Sequence, residues 1–294
     1  MKKWNMIIDV ARCHDCNDCF LADKDEFVGN DFPPYSVAQP WSGHRWIDID
    51  RKERGQYPIV QVAYLPQPCM HCTEAPCMRD SPAGTIYRQD NGLVIIDPEK
   101  AKGHREIVDT CPYGAIWWNE EADIAQKCIF CAHLLDDPSW APHTTRCAHI
   151  CPTDAIKTYF VEPEEMQKMI ADEALEEYLP ELGAKPSTLY KNLYRFTKNF
   201  VTAGVLVNED CFEGADVTLH SKEGGIACNL FGAGVANCND TSVLARRTTN
   251  FFGEFKFDGL KDGDYRLEID AAGKKYSTEF AIKGESLNLG FIKL

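Results

Sequence analysis

Eleven cysteines fall between Cys13 and Cys151, and their spacing carries the chemistry. Cys13, Cys16 and Cys19 make one short run, Cys69, Cys72 and Cys77 a second, and Cys128, Cys131 and Cys147 a third that is stretched by an insertion. Thiolates grouped in this way are soft ligands suited to iron–sulfur clusters. In two-cluster carriers a fourth cysteine, usually followed by proline, comes four residues after the third and ligates the neighbouring cluster. Cys151-Pro152 supplies that position for the third run, whereas Asp23 and Ser81-Pro82 stand there after the first and second. One more frame ends at Cys111-Pro112 but has Ala101, His104 and Ile107 where three cysteines would stand.

A repeated tail supports that frame. Ser81-Pro82-Ala83-Gly84-Thr85-Ile86, Cys111-Pro112-Tyr113-Gly114-Ala115-Ile116 and Cys151-Pro152-Thr153-Asp154-Ala155-Ile156 echo one another, as duplicated ferredoxin-like units would. If the first and last units exchange fourth ligands and the two middle units do likewise, three sites emerge. The first is Cys13, Cys16, Cys19 and Cys151; the second is Cys69, Cys72, Cys77 and Cys111. The third is Cys128, Cys131 and Cys147, with Asp23 as candidate fourth ligand. The remaining site would have used Ala101, His104, Ile107 and Ser81, so all four of its thiolates are missing together. Random decay would scatter such losses, while deletion of one cluster removes this set alone. The expected cofactors are therefore three iron–sulfur clusters, mainly 4Fe-4S.

At Asp23 an Asp-ligated four-iron cluster, a three-iron (3Fe-4S) cluster and water ligation compete, because carboxylate is a harder ligand than thiolate. The plain alternative is a solvated residue in the acidic run Asp23-Lys24-Asp25-Glu26. Paired cysteines also bind zinc, but zinc sites seldom combine three cysteines in a run with a distant Cys-Pro. A disulfide framework fits less well, since the chain is long enough for an ordinary core. His104, deprived of its companions, reads as a surface residue; His71, between Cys69 and Cys72, reads as a hydrogen-bonding neighbour that tunes its cluster.

The whole chain of 294 residues carries 45 acidic and 31 basic side chains, a formal charge of −14. Bound thiolates would normally make it more negative, so a nucleic-acid backbone is excluded as a partner. The apolar stretch at Met6-Ile7-Ile8 is too short for a signal peptide, and no segment approaches the length of a membrane span. A cytoplasmic location is expected.

The elements that position the cysteines read as short strands and loops across residues 1–160, with Met6 to Val10 and Leu93 to Ile96 as β-rich runs feeding cysteine loops. An aromatic excursion from Phe27 to Pro68 interrupts the repeat and suits either a docking surface or a cover for buried clusters. Met166 to Leu179 reads as an amphipathic helix opened by Glu164 and Glu165. Residues 161–199 then form a helical or irregular linker broken by Pro180, Gly183 and Pro186. Residues 200–294 alternate in short β-rich runs, Val201 to Val207, Ala215 to His220, Gly253 to Phe257, Tyr265 to Ile269 and Tyr276 to Ile282, with Asp-Gly turns between several of them. The expected fold class is α+β: a duplicated ferredoxin-like 4Fe-4S domain followed by a β-sandwich. Gly224 to Asn239 reads as a glycine-rich insertion carrying Cys228 and Cys238, which with Cys211 are read as ordinary cysteines.

Clusters move single electrons, and the chain has no glycine-rich nucleotide loop, nucleophile motif or evident pterin-binding domain. No catalytic residue is expected in it. These residues resemble the iron–sulfur subunits of molybdopterin oxidoreductases of the dimethyl-sulfoxide-reductase family, and within it the transhydroxylase branch acting on pyrogallol and phloroglucinol. The likeness rests on the three-cluster arrangement and on Cys128 to Cys131 followed by Ala132-His133-Leu134-Leu135-Asp136-Asp137. It rests also on the run Tyr190-Lys191-Asn192-Leu193-Tyr194-Arg195-Phe196, the terminal sandwich and the end Leu289-Gly290-Phe291-Ile292-Lys293-Leu294. The sandwich itself resembles transthyretin-like and carboxypeptidase-regulatory-like modules, most in Thr249 to Leu260. Two departures stand out: the family pattern has cysteine where Asp23 stands, and Gly224 to Asn239 is extra.

The resemblance implies a heterodimer, or a higher oligomer of it, with a large catalytic subunit that holds molybdenum on two pterin guanine dinucleotides. Its substrates would be polyhydroxylated benzenes, either transhydroxylated (pyrogallol and phloroglucinol) or hydroxylated from water with electrons leaving through the clusters (resorcinol). The alternative is the same electron-transfer role beside an enzyme of formate, sulfur or arsenic oxyanion chemistry.

Overall fold

Strands outnumber helices in the computed structural model, which describes residues 1–141, 143–222 and 242–294, and the helices are short. In chain order the first part carries β1 (Lys3–Asp9), α1 (Asp18–Phe27), β2 (Ile47–Gln56), β3 (Ile59–Pro68), α2 (Pro76–Asp80), β4 (Ile86–Arg88) and β5 (Val94–Ile96). A 3-10 turn at Arg105–Thr110 follows, then β6 (Trp117–Asn119), β7 (Ile124–Gln126), α3 (Ala132–Leu135), α4 (Arg146–Ile150), β8 (Ile156–Val161), α5 (Pro163–Glu173) and β9 (Thr188–Lys191). The remainder holds α6 (Tyr194–Thr197), β10 (Asn199–Val207), β11 (Asp210–Cys211), β12 (Asp216–Ser221), β13 (Val243–Thr248), β14 (Glu254–Leu260), β15 (Gly263–Ala271), β16 (Lys274–Ile282) and β17 (Leu287–Lys293). Cys228 and Cys238, with the glycine-rich insertion read at 224–239, lie outside the described residues. Two units emerge, one of Met1–Arg51 with Tyr64–Leu193, the other of Lys52–Ala63 with Tyr194–Leu294.

In the first unit β1 is the central strand, antiparallel to β8 and parallel to β9. Met6, Ile7 and Ile8 are all buried, as expected of a strand covered on both faces. Ile7 packs with Leu189 of β9, Met166 of α5 and Leu175. Pro163 opens α5, and Glu164 and Glu165 place negative charge in its first turn, where free N–H groups favour it. β4 with β5 and β6 with β7 form two-stranded ribbons.

The second unit is built from two four-stranded sheets, β11-β10-β14 with β17 added to β10, and β13-β12-β15-β16. Alternate residues of β15, Tyr265, Leu267, Ile269 and Ala271, point into a core shared with Val201, Val205, Phe257 and Ile292 of the opposite sheet. Burying each large side chain there stabilises by roughly 1.5–3 kcal/mol.

Three expectations need correction. Residues 161–193 are not a linker: β9 pairs along Met6 to Asp9 of β1, so this stretch completes the first unit. The helix expected to reach Leu179 ends at Glu173, because Ala174 takes a left-handed conformation and Glu176 forms a bridge with Tyr190. The excursion before Pro68 is divided, since the hairpin tip Lys52–Ala63 belongs to the second unit. There the Arg54 guanidinium makes a two-point pair with Asp258, at 2.8 and 3.1 Å.

Candidate metal centres

The i, i+4 rule of the helix explains how one short element serves two sites. On α1 the buried face is Cys19, Ala22, Asp23 and Phe27, so Cys19 and Asp23 lie one turn apart on the same stripe. Cys147 on α4 and Cys151 at its C-cap repeat the spacing, with the Thr145 side chain capping the start by accepting from the Ala148 N–H. The two helices pack together. Arg146 Nε meets Glu26 at 2.9 Å, and His133 Nε2 meets the other oxygen of Glu26 at 2.9 Å. The His133 bond is the main reason the Glu26 carboxyl lies below the usual range.

Asp23, Cys128, Cys131 and Cys147 line one small pocket, together with Met6, Phe27, Ile47, Pro68 and Phe130. Main-chain N–H groups donate to its sulfurs: Phe130 to Cys128 Sγ and Arg146 to Cys131 Sγ, each at 3.4 Å. Phe130 and Cys131 both take positive φ, a conformation uncommon for such residues and concentrated at functional loops. Asp23 is buried, and Gln39 Nε2 donates to its Oδ2 at 3.0 Å. Burial pushes this carboxyl up to about 7, with Gln39 and Lys24 working against the rise. Burial likewise raises Cys128, Cys131 and Cys147; Cys147 adds to the rise at the first two, and Asp23 adds to it at Cys147. Such a set of acids ionises together only around a strongly positive group, which the irons of a cluster would provide. The chemistry of the donor set therefore fits the cofactor.

Cys13 is raised by burial and by the neighbouring Cys151 and Cys16 thiols. Cys19 is raised by burial, then by Cys147, Cys13 and Cys16. The first predicted set is thus brought together, with Asp15 and Asn17 at positive φ in its loop. Burial dominates at Cys72, and Cys69, Cys111 and Cys77 act on it, so the second set is also gathered. His71, at positive φ between two of these cysteines, is fully buried. Its Nδ1 accepts from the Val94 N–H at 3.0 Å, which puts the proton on Nε2, and burial holds it neutral, well below the ordinary histidine value.

Two electrostatic contacts run between the predicted sets. Cys19 of the first set feels Cys147 of the third, and Cys128 of the third feels Cys69 of the second.

The frame without cysteines is filled. Ala101 and Ile107 are completely buried, His104 turns outward and pairs with Glu106 at 2.8 Å, and Ser81 Oγ lies 3.4 Å from Thr110 Oγ1. Cys211 is exposed. Three residues near the centres escaped the sequence reading. Gln39 lies in a loop without any pattern, Arg88 caps the second loop through the carbonyls of Cys72 and Thr73, and Lys127 reads as an ordinary charge until its burial is seen.

Residues 60–160 match the 4Fe-4S dicluster domain family. The chain is 51% identical over 294 residues, all of both proteins, to the pyrogallol hydroxytransferase small subunit of Pelobacter acidigallici. This is an iron–sulfur small subunit of the dimethyl-sulfoxide-reductase family. The small subunit is also 31% identical to a putative iron–sulfur subunit of dimethyl sulfoxide reductase from Halobacterium salinarum, covering 65% of this chain and 80% of the relative. A thiosulfate reductase electron transfer subunit of Salmonella typhi is 31% identical over 56% of this chain and 80% of its own length. As an electron-transfer small subunit it works beside a larger catalytic one. Among the described residues no helix is long and apolar enough to cross a membrane.

Proposed function

We propose that the small subunit holds three clusters, on Cys13, Cys16, Cys19 and Cys151; on Cys69, Cys72, Cys77 and Cys111; and on Cys128, Cys131, Cys147 and Asp23. It would carry single electrons for a cytoplasmic molybdenum enzyme, with two pterin guanine dinucleotides in the large subunit, that transhydroxylates or hydroxylates polyhydroxylated benzenes. The observation that supports this best is the pairing of outcomes: each predicted ligand set has its members within electrostatic reach of one another, while the positions of the fourth are occupied by packed or outward-facing side chains. When bound, such clusters accept and release one electron at a time. The chain's own residues bind the irons, exclude water and aim N–H groups at the sulfurs, which sets the potentials. The two electrostatic contacts support a row, first site to third to second.

The terminal unit is read as a transthyretin-like or carboxypeptidase-regulatory-like sandwich; its shared two-sheet core supports that reading. Iron analysis of the purified complex should give about eleven to twelve irons per chain and no zinc. Electron paramagnetic resonance of Asp23→Cys should differ from wild type at one cluster, and identical spectra and iron content would remove Asp23 from the ligand set. Pyrogallol and resorcinol turnover, with and without an electron acceptor, separates transhydroxylation from net hydroxylation. Turnover of formate or an oxyanion without phenol turnover would overturn the aromatic assignment.

A further inference from the structure

Gln39, in the loop between α1 and β2, is 2% exposed, and its side chain ends on the one candidate ligand that is not a cysteine. Its Nε2 donates to Asp23 Oδ2 at 3.0 Å, both groups being buried. The main chain around Gln39 is clasped to the same stretch of α1. The Gln39 N–H donates at 2.8 Å to the Phe27 carbonyl, one of those a helix end leaves free, and Phe27 lies one turn beyond Asp23. Lys24 Nζ donates to the Pro40 carbonyl at 3.0 Å. The β6–β7 ribbon holds the preceding residues: Asn119 Nδ2 donates to the Ala38 carbonyl at 3.1 Å, and Gln126 Nε2 to the Val37 carbonyl at 2.8 Å. Asn119 and Gln126 are buried themselves and bonded to each other at 3.0 Å. A rigid support thus brings the Gln39 amide to Asp23. Its Oε1 is buried without a partner among the described residues, so the amide is oriented by what Nε2 meets. A fold seldom leaves a buried carbonyl unsatisfied for packing alone.

We propose that Gln39 is the positioning residue that lets the Asp23 carboxylate replace a thiolate, by occupying Oδ2 so that Oδ1 alone meets the iron of the third site. This rests on the ligand set proposed above. A thiolate offers an iron one donor atom, whereas a carboxylate offers two and can rotate to chelate or swing away. A hydrogen bond to the outer oxygen removes that freedom, as bonds to ligating carboxylates do at metal sites generally. A neutral amide does so without adding charge to a pocket already lined by three cysteines. The support is needed only because residue 23 is an aspartate; a cysteine there has no second donor atom to hold.

The test uses the iron-loaded complex with Gln39→Met or Gln39→Leu, each with Asp23 kept and with Asp23→Cys. Iron release into a chelator is timed without oxygen, and electron paramagnetic resonance spectra are recorded. Both substitutions remove the donor, and Met keeps the length of the side chain. With Asp23 in place, both should release iron from one cluster about tenfold faster than wild type and change the signal of that cluster alone. With Asp23→Cys, neither should alter the rate or the spectrum. Unchanged release with Asp23, in either variant, refutes the positioning role; so does equal acceleration in both backgrounds, which would mark a packing defect. Failure of both variants to assemble with Asp23 but not with Asp23→Cys supports the role, and failure in both backgrounds refutes it. An Asp23→Cys protein whose spectrum and iron content match wild type would refute the ligand set instead, and with it the premise.

Discussion

Arg54→Leu is the sharpest test of how the hairpin tip is held in the second unit. The Arg54 side chain is 1% exposed and that of Asp258 16%, so the pair lies out of bulk water. One guanidinium nitrogen bonds Asp258 Oδ1 at 2.8 Å and the Lys198 carbonyl at 3.1 Å; the other bonds Oδ2 at 3.1 Å. Leucine replaces most of the stem but leaves the carboxylate with Lys256, at 2.8 Å, as its remaining ion pair. Breaking a buried pair from one side costs about 3–5 kcal/mol, and the surviving Lys256 pair argues for the lower end. At about 3 kcal/mol the amides of β10 and β14 that exchange through opening of this unit should exchange roughly 150-fold faster. Hydrogen exchange is the suitable assay, because a chain of two units with bound clusters does not unfold in two states. Arg54→Leu combined with Asp258→Leu should recover part of the loss, since no carboxylate is then left without its guanidinium. A single variant within threefold of wild-type exchange, or no worse than the double variant, would refute the reasoning.

Other outcomes follow from the same geometry. Burial tends to raise the Asp258 carboxyl, but Arg54 and Lys256 outweigh it and hold it below the usual range. Its contribution to stability should therefore be complete above the unfolded value of about 3.9 and fade as pH falls through the lower folded value; β10 and β14 exchange in wild type and Arg54→Leu should converge in that window. Glu26→Ala removes bonds from His133 and Arg146, each worth about 1.5–3 kcal/mol at a charged group, so α1 should loosen and the iron of the Asp23 site should be the first lost on dilution into chelator. Ser81→Cys, Ala101→Cys, His104→Cys and Ile107→Cys together should raise iron content by about four per chain; unchanged iron would refute the frame.

What was legible in the sequence is what short-range geometry dictates. The ligand spacing at residues 19, 23, 147 and 151 could be read, but not the helices α1 and α4 that carry it: residues 1–160 read as short strands and loops, because stretches this short and interrupted by cysteines show no helical apolar period. The alternation in Tyr265 to Ile269 announced β15. The short strand β9 could not be read, because Thr188–Lys191 becomes a strand only by pairing in parallel with β1, and nothing in a short stretch ahead of Leu193 encodes that partner. The hairpin tip was hidden for the same reason: Arg54 and Asp258 are 204 residues apart. Gln39 and Lys127 acquire meaning only from burial, which a loop residue and a lone lysine do not advertise.

The two helical pairs explain why one centre could vanish while another persists with an altered ligand. Under the proposed ligand sets each short element would offer one ligand to each of two neighbouring sites, so Ser81 and Ile107 can differ while Cys77 and Cys111, four residues away, stay in place. Under the proposed ligand sets the vacated positions flank the second site, at the end of the row, and filling them with Ala101 and Ile107 shortens the row without breaking it. Under the same ligand sets the Asp23 site would stand between the other two, since Cys19 is within electrostatic reach of Cys147 and Cys128 of Cys69. A pocket that lost its cluster there would separate the remaining carriers. Replacement of thiolate by carboxylate at this position is therefore compatible with electron transfer only if the cluster is retained. The burial of Asp23, its Gln39 bond and the Glu26 brace on α1 are the features that would retain it.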